Sequence, residues 1–449
     1  MGTKKDPDRP TFHVMPRNGW LNDPNGPIYH KGTYHLFYQH IEGTADWDWR
    51  ITWAHASSHD LVKWTHEPIA LVPTKDSWDA AGCWSGTCTV DEKGVPTILH
   101  TAVRRRDKLD AKMIPPKAHD LGLEMIECQL SCHCEPGDDK LIKWIKNKEP
   151  AIPLPPEGMA LTGFRDPYII QKGGQGRKWK LILGSGTKEA GGTILLYQSD
   201  SAASGWEYAG ELTQGSTRPC LDDPSLDLGA MWECPFFAEL QDLEAPSTIT
   251  HILCVSPYPH HLKDRPTNPC LYWLGDFQGQ RFDLESAHGP RMLDLGDILY
   301  APTTLRCPKG RLIMVAWLQE LRKGGSFDYA GCLSVPRLLS LQGGRLVQQP
   351  VPEAVFPSEL DAGTGTFDAA QSMKRVGGPI AMPDETVTLR VLVDHSCVEV
   401  FVDSGEALAT RVYRENKDLT GPEVFLVSSA VTTKFEEVSA WSMQSIWAE

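Results

Sequence analysis

The sequence predicts an all-β protein. Apolar residues occur mostly in short segments that alternate with polar ones, as in residues 32–38, 178–183 and 311–317. A period of two is the signature of β-strands. Gly, Asp, Pro and Ser bound these segments and mark turns between them. The 3.6-residue period of an amphipathic helix is scarce, so strands dominate the prediction.

A weak internal repeat indicates how the strands are grouped. A polar turn precedes a tryptophan in residues 58–64, 138–144 and 199–206, where each tryptophan could open an outer strand. Recurrence every roughly 60–80 residues is typical of the four-stranded blades of a β-propeller. Coincidence among common turn residues would also produce these echoes. The pattern alone does not choose between a propeller and a β-sandwich.

The chain changes character past about residue 345. The sequence QQPVP at 348–352 is typical of a linker. Residues 386–402 then form two alternating apolar runs around a break at 394–396, which predicts a hairpin. This hairpin would belong to a second, small β domain of the sandwich type.

Composition limits the possible partners. The chain has 449 residues, 41% of them apolar, and a formal net charge of −14. This charge argues against nucleic acid and anionic membranes as partners and leaves uncharged sugars open. The longest apolar run, at 312–318, is too short to span a bilayer. No apolar stretch follows the N-terminal lysines, so we expect a cytoplasmic protein as written, or an extracellular or vacuolar one if the N-terminus has been trimmed.

Twelve cysteines are too few for a disulfide scaffold in a chain of this length. Cys128, Cys132 and Cys134 lie close together around His133, which is compatible with a metal site. A strand would place these three thiols on one face without a clear fourth ligand. We therefore expect free, half-buried thiols and no metal.

Three short motifs each place one acid beside an aromatic residue, with a proline within two positions. They are WLNDPNG at 20–26, FRDP at 164–167 and WECP at 232–235. Hydrolysis of a glycosidic bond with retention needs one carboxylate as nucleophile and one carboxylic acid as proton donor. A third acid can bind the sugar. Three acids in three rigid turns therefore predict a sugar-cleaving site.

The neighbours of each acid suggest its role. Asparagines beside Asp23 would hydrogen-bond its carboxylate and hold it ionised, as a nucleophile requires, although a plain Asx-turn would also explain NDPNG. Apolar neighbours of Glu233 favour its protonated form, which suits a general acid, although a glutamate bonded at a strand end would look the same. Arg165 would keep Asp166 ionised to accept sugar hydroxyls, although a structural Arg–Asp pair is the alternative.

Together the three motifs resemble those of glycoside hydrolase family 32, the invertases and fructan hydrolases, in the same order and at similar intervals. Further segments extend the resemblance over nearly the whole chain: HLFYQ at 35–39, WAHA at 53–56, GCWSG at 82–86, LSVPR at 333–337 and VDHS at 393–396.

The resemblance implies a five-bladed β-propeller catalytic domain at 1–345, a linker at 346–356 and a C-terminal β-sandwich at 357–449. A fructofuranose unit would bind at the propeller axis. Asp23 would match the nucleophile, Glu233 the acid/base and Asp166 the transition-state stabiliser. The positions expected to contact the sugar or the nucleophile are Asn22, Gln39, Trp47, Trp49, Trp84, Ser85 and Arg165.

The function implied is a retaining glycoside hydrolase that releases terminal β-D-fructofuranosyl residues from sucrose or fructans without a metal or organic cofactor. A fructosyltransferase that uses a sugar acceptor is the alternative within catalysis. A sugar-binding propeller without turnover is the alternative outside it, and the presence of all three acids argues against that. Rim loops such as 40–49, 104–120 and 256–270 would decide among sucrose, inulin and levan.

Overall fold

The chain is almost entirely β-structure in its computed structural model. The described residues are 6–216, 218–247, 249–259, 269–322, 327–354, 359–360, 376–380, 386–413, 440–441, 443 and 445–447. Helical structure within these ranges consists of four three-residue 3₁₀ helices, at Arg106–Lys108, Ala111–Met113, Lys117–His119 and Pro352–Ala354. None of the helices in these ranges is long and apolar enough to cross a membrane. The all-β prediction is confirmed.

The strands of the described residues follow in chain order. They are β1 (Gly19–His30), β2 (Thr33–Ile41), β3 (Thr52–Ser58), β4 (Trp64–Leu71), β5 (Gly82–Val90), β6 (Pro96–Arg105), β7 (Met125–Cys134), β8 (Trp144–Lys146), β9 (Leu161–Gln171), β10 (Trp179–Thr187), β11 (Gly191–Ser199), β12 (Glu207–Thr213), β13 (Met231–Gln241), β14 (Ile249–Tyr258), β15 (Leu271–Gly275), β16 (His288–Met292), β17 (Leu299–Arg306), β18 (Leu312–Leu318), β19 (Tyr329–Ala330), β20 (Cys332–Leu333), β21 (Arg337–Gln342), β22 (Arg345–Pro350), β23 (Glu359–Leu360), β24 (Leu389–Asp394), β25 (Cys397–Val402), β26 (Ala407–Arg411) and β27 (Ala440–Trp441).

Five antiparallel sheets succeed one another along the chain. The first four are meanders, β1 to β4, β5 to β8, β9 to β12 and β13 to β16, with β19 added in parallel beside β1. The fifth contains β17, β18, β21 and β22, with β20 paired to β18. The first strands of these sheets contact each other in turn: β1 with β5, β5 with β9, β9 with β13, β13 with β17, and β17 with β1. This contact brings residues far apart in sequence to one place.

The tryptophans of the internal repeat open outer strands, as predicted. Trp64 begins β4, Trp144 begins β8, and Trp206 directly precedes β12, and these are the fourth strands of their sheets. Each indole N–H donates to a backbone carbonyl three or four residues earlier, at 3.2, 2.9 and 3.2 Å. The polar turn and the tryptophan therefore form one unit that starts the outer strand.

The C-terminal part of the chain departs from the prediction at its start. Strand β22 occupies the beginning of the segment predicted to be a linker, because its residues pair with β21 instead of crossing solvent. The predicted hairpin is present as β24 and β25, extended by β26 to three strands. Much of the predicted sandwich, namely residues 361–375, 381–385 and 414–439, lies outside the described residues.

One irregularity recurs on the first strand of each of the five sheets. Three residues of that strand span two residues of its partner, which is the pattern of a β-bulge. The extra residue lies within 21–24 of β1, 83–86 of β5, 165–168 of β9, 233–236 of β13 and 300–303 of β17. Bulges redirect side chains, and these five lie on strands that contact one another.

Candidate active site

The three predicted acids meet, although they come from three different sheets. The Ser85 hydroxyl donates to Asp23 at 2.6 Å, and the Cys234 thiol lies 3.4 Å from the same carboxylate oxygen. The backbone N–H of Cys234 donates to Asp166 at 2.8 Å. Because Cys234 directly follows Glu233, all three acids lie around one point in space.

The acids lie on bulged strands, so the prediction of three rigid turns is wrong. The motifs are inside β1, β9 and β13, where bulges accommodate their prolines. Asp166 and Cys234 have positive φ angles of 64° and 45°. Left-handed backbone at residues with side chains costs about 1–3 kcal/mol and is concentrated at functional sites. In β1, Gly26 has φ 42°, and a Cβ there would lie 2.7 Å from the backbone nitrogen of Cys88.

Asp23 is held by a chain of polar side chains. The Asn22 amide donates to Asp23 at 3.2 Å and also to Gln39, and the Gln39 amide donates to the Ser85 hydroxyl at 2.6 Å. Burial nevertheless raises the pKa of Asp23, the Ser85 hydrogen bond lowers it, and the charge of Glu233 raises it again. The prediction that asparagine amides keep this pKa low is therefore wrong, because desolvation outweighs them.

Arg165 pairs with other acids than predicted. Its guanidinium donates to Glu233 at 2.8 and 3.1 Å and to Glu127 at 2.8 Å. The Tyr300 hydroxyl donates to the second oxygen of Glu233 at 2.9 Å. Both oxygens of Glu233 therefore accept hydrogen bonds from polar side chains, whereas the sequence predicted apolar neighbours.

Asp166 is held by the backbone N–H of Cys234 and by the side chain of Thr101. Its own N–H donates to the Thr101 hydroxyl at 2.8 Å. Burial raises the pKa of Asp166 to about 8; Arg165 acts to lower it, while the charges of Glu233 and Asp23 act to raise it. The prediction that Arg165 keeps Asp166 ionised is wrong, because the guanidinium is engaged by Glu233 and Glu127 and desolvation is larger.

The predicted tryptophans form one aromatic wall, which we define as Trp47, Trp49 and Trp84. The rings of Trp49 and Trp84 stack at 5.9 Å, and Trp47 lies 5.5 Å from Trp49. The Trp84 ring is 6.0 Å from the guanidinium of Arg165. Trp47 is 45% exposed, so the wall runs from the carboxylates outward to solvent. Flat aromatic faces beside carboxylates suit the packing of a sugar ring.

Sequence reasoning missed two residues of this cluster. Tyr300 lies at the bulge of β17, and its segment YAP at 300–302 repeats the aromatic residue with nearby proline seen in the three acidic motifs. That signal could have identified it. Glu127 lies on the third strand of its sheet, where it accepts from Arg165 and from the Phe164 N–H at 2.7 Å. No local pattern marks it, because its role arises from contact between sheets.

One group of described residues has a spacing suited to a metal. Asp79, Cys83 and His100 each bring a ligand atom within 4.8 Å of the others. The Lys146 ammonium hydrogen-bonds Asp79 and lies 3.7 Å from the Cys83 sulfur. A fixed positive charge is therefore already in place beside the carboxylate. The cysteines in the chain are free thiols, eleven of them buried, including the three of the β7 cluster.

Comparison with known proteins gives two family matches. The model of the glycosyl hydrolases family 32 N-terminal domain matches residues 13–350, and that of the family 32 C-terminal domain matches residues 355–442. Together the matches cover most of the chain, and the first contains the three acids.

Individual relatives agree with these matches. A sucrose-6-phosphate hydrolase of Zymomonas mobilis is 34% identical over 77% of this chain, and the match spans only 62% of that relative's length. A raffinose invertase of Escherichia coli is 28% identical over 90% of this chain and 89% of its own. The crystal structure of fructan 1-exohydrolase IIa from Cichorium intybus superposes with a TM-score of 0.72 at 22% identity, covering 92% of this chain and 93% of the other. The last likeness shows a shared fold.

Proposed function

This chain belongs to glycosyl hydrolase family 32, and on that premise we propose that it is a retaining glycoside hydrolase that releases terminal β-D-fructofuranosyl residues. One observation carries the proposal: carboxylates from three separate sheets meet around Cys234. A nucleophile, a proton donor and a sugar-binding acid within one cluster are the groups that a double displacement requires.

The proposed first step breaks the glycosidic bond. Asp23 attacks the anomeric C2 of the fructosyl unit while Glu233 gives its proton to the glycosidic oxygen, which leaves as the alcohol of the second sugar. The developing oxocarbenium charge collapses onto Asp23 as an ester. In the second step Glu233, now a base, takes a proton from water, and the oxygen of that water displaces Asp23 from C2.

The other residues hold the reacting groups. Tyr300 and Arg165 fix both oxygens of Glu233, which orients the carboxyl towards a leaving oxygen. Asp166 supplies carboxyl oxygens for two neighbouring sugar hydroxyls, which holds the ring in position for attack. The aromatic wall packs against a sugar and excludes water.

We infer a five-bladed β-propeller with the carboxylates at its axis, followed by a β-sandwich. The turn-by-turn contacts of the five first strands, including β17 with β1, support a closed ring. The boundaries of the two family matches, near residues 350 and 355, support a division into two domains. The bulge shared by the five first strands then marks the functional end of the ring.

The substrates proposed are sucrose, its 6-phosphate and fructans. The relatives are named for sucrose 6-phosphate, raffinose and fructan, and a terminal fructofuranosyl unit is the part that these molecules share. Such a unit fits a site in which all catalytic groups surround a single sugar.

The test is product analysis with parallel substrates. The purified chain is incubated with sucrose, sucrose 6-phosphate, raffinose, inulin and levan, and the products are separated. Free fructose from at least one substrate, lost in Asp23→Ala with the circular dichroism spectrum retained, supports the proposal. Oligosaccharides in place of fructose at high sucrose would assign a fructosyltransferase. Near-normal turnover by Asp23→Ala would contradict the mechanism.

A further inference from the structure

A cavity of about 980 Å³ opens beside the aromatic wall. Its charged lining is mainly basic, with five cationic side chains and three acidic ones. The cations are Arg50, Lys75, Arg104, Arg105 and Lys108. The carboxylates of the candidate active site do not line it, but Trp49 does, so the cavity adjoins the outer part of that site.

Arg104 differs from the other two arginines of this cavity. Arg50 is paired in a fork with Asp48 at 2.9–3.2 Å, and Arg105 with Asp107 at 3.0 Å. Arg104 is only 5% exposed, and its Nε is buried with no hydrogen-bond partner. Its guanidinium lies 4.3 Å from the centre of the Trp78 ring and forms no ion pair within the part of the chain that the structure describes.

A buried guanidinium without an acid is unfavourable, because desolvation is not repaid by an opposite charge. The ring of Trp78 offsets part of this cost through its negative face. Burial also lowers the pKa of Arg104. An apolar side chain would fill this space with less cost to the stability of the protein. The unpaired guanidinium of Arg104 therefore indicates that an anion from outside the protein completes the site.

The position of the cavity indicates which part of a substrate would reach it. Arg105, the neighbour of Arg104, lies 5.3 Å from the Trp49 ring, which stacks on Trp84. Trp84 in turn lies beside Arg165, the partner of Glu233. Because Glu233 would protonate the leaving oxygen, the aromatic wall extends from the leaving-group side of the reaction towards the cavity.

We propose that the cavity is a subsite for a phosphate monoester on the leaving-group sugar, with Arg104 as its ligand. The inference rests on the proposed function and names the substrate class of that site. A phosphate monoester presents oxygens that a guanidinium fork binds in pairs. The lining acids Glu42 and Asp76 are exposed and leave the buried fork free.

The test compares kcat/KM for sucrose 6-phosphate with kcat/KM for sucrose. In the wild type this ratio should exceed about 10, and in Arg104→Met it should fall by about 10- to 100-fold, mainly through KM. Arg50→Met is the matched control, because Asp48 already neutralises that cation, and its ratio should change less than about threefold. Equal falls in both variants, or no fall in Arg104→Met, would overturn the assignment.

A second measurement does not need a soluble Arg104 variant. Glucose 6-phosphate and glucose are compared as inhibitors of sucrose hydrolysis by the wild type, with inorganic phosphate as a third probe. Inhibition by glucose 6-phosphate at least tenfold stronger than by glucose supports the ester subsite. Binding of inorganic phosphate without that advantage would assign a free-phosphate site and overturn the proposal, as would no binding of either phosphate.

Failure of the subsite and failure of the proposed function are distinguishable. If sucrose is cleaved but the ratio is near 1 in the wild type and in Arg104→Met, only the subsite is wrong. If neither sucrose nor its phosphate releases fructose while glucose 6-phosphate still raises the melting temperature of the wild type and not that of Arg104→Met, the subsite stands and the proposed activity is wrong.

Discussion

Two clusters of buried charged residues in this molecule differ in how they shift the pKa values of their carboxyl groups. The first is the candidate active site. The second, which we call the buried ionic network, consists of His13, Asp294, Arg337, Asp394 and Glu399. His13 lies 2.7 Å from Asp394 and 3.0 Å from Glu399, and Arg337 pairs with Glu399 at 2.7 Å and with Asp294 at 2.8 Å.

The difference appears in the carboxyl groups. Burial acts to raise the pKa of Asp394 and Glu399, but His13 reverses it at Asp394 and Arg337 with His13 reverses it at Glu399, so both pKa values end below their usual range. Burial raises the pKa of Asp23 and Asp166, and their partners do not reverse it. The network therefore stabilises the ionised forms of Asp394 and Glu399 in the folded state, whereas burial still raises the pKa of its third carboxyl group, Asp294. The candidate active site leaves the ionised forms of Asp23 and Asp166 poorly stabilised, which is typical of functional carboxyl groups.

The largest expected effect separates activity from stability at Asp23. Asp23→Asn should lower kcat at least about 10⁴-fold, since an amide cannot form the ester intermediate. The same change should not lower the free energy of unfolding near pH 7. A raised folded-state pKa stabilises the fold fully below the unfolded-state pKa, about 3.9, and that stability is lost as pH rises through the folded-state pKa. Urea denaturation from pH 4 to 8 measures this.

In the same urea denaturation experiment, a substitution in the buried ionic network should lower the free energy of unfolding near pH 7. In Asp394→Asn the free energy of unfolding should fall near pH 7, because a lowered pKa contributes stability above the unfolded-state pKa and loses it as pH falls through the folded-state value. Equal stability losses in Asp23→Asn and Asp394→Asn would remove the distinction between the two clusters.

Arg337 tests the network by itself. Arg337→Met leaves Glu399 and Asp294 buried without their cation, so the free energy of unfolding should fall by about 3–5 kcal/mol. Where the variant remains folded, its kcat should stay near the wild-type value. Arg345→Met, which breaks the exposed pair with Glu406, should cost less than about 1 kcal/mol. Similar costs in both variants would show that the network contributes no more than a surface pair.

Tyr300 tests whether the second oxygen of Glu233 needs its partner. Tyr300→Phe removes one hydrogen bond to a carboxylate, which is worth about 1.5–3 kcal/mol, so kcat/KM should fall about 10- to 100-fold. The unfolding midpoint should fall only modestly, because the ring remains in place although the buried carbonyl oxygens of Ser256 and Pro257 also lose the hydroxyl. Steady-state kinetics with sucrose provides the measurement, and unchanged kcat/KM would exclude the positioning role.

The smallest change concerns pH. Ser85→Ala removes the hydrogen bond that lowers the pKa of Asp23, so that pKa should rise further. Since attack requires ionised Asp23, the acidic limb of the pH profile of kcat/KM should move to higher pH. Activity near pH 6 should fall more than activity near pH 8. A limb that stays in place would mean that another group controls it.

The sequence predicted the strands and the acids better than their surroundings. Alternation identified β2, β10 and β18, and the polar turns identified the tryptophans that open β4 and β8, because both signals are local. The cluster residues Glu127 and Tyr300 and the partners of Arg165 depend on contacts between sheets. The motif NDPNG looked like a turn because its composition is that of a turn, whereas long-range pairing of β1 with β2 makes it a bulged strand.

The pKa of Asp23 and the ion pairs of Arg165 also could not be predicted from neighbouring residues in the sequence. Asparagines beside Asp23 do hydrogen-bond it, as predicted, but the extent of burial decides its pKa, and burial is a property of the assembled sheets. Likewise Arg165 forms its ion pairs with Glu127 and Glu233, which lie close to it only in the folded protein, rather than with Asp166, its neighbour in the sequence.

The most direct test of the central claim, that Asp23 attacks a fructosyl unit that Glu233 activates, is the configuration of a product that cannot mutarotate. Sucrose is turned over in the presence of methanol, and the methyl fructofuranoside formed is analysed by NMR. Attack by Asp23 followed by displacement from the same face as the leaving group gives the methyl β-D-fructofuranoside. The α-anomer would require a single displacement and would contradict the account.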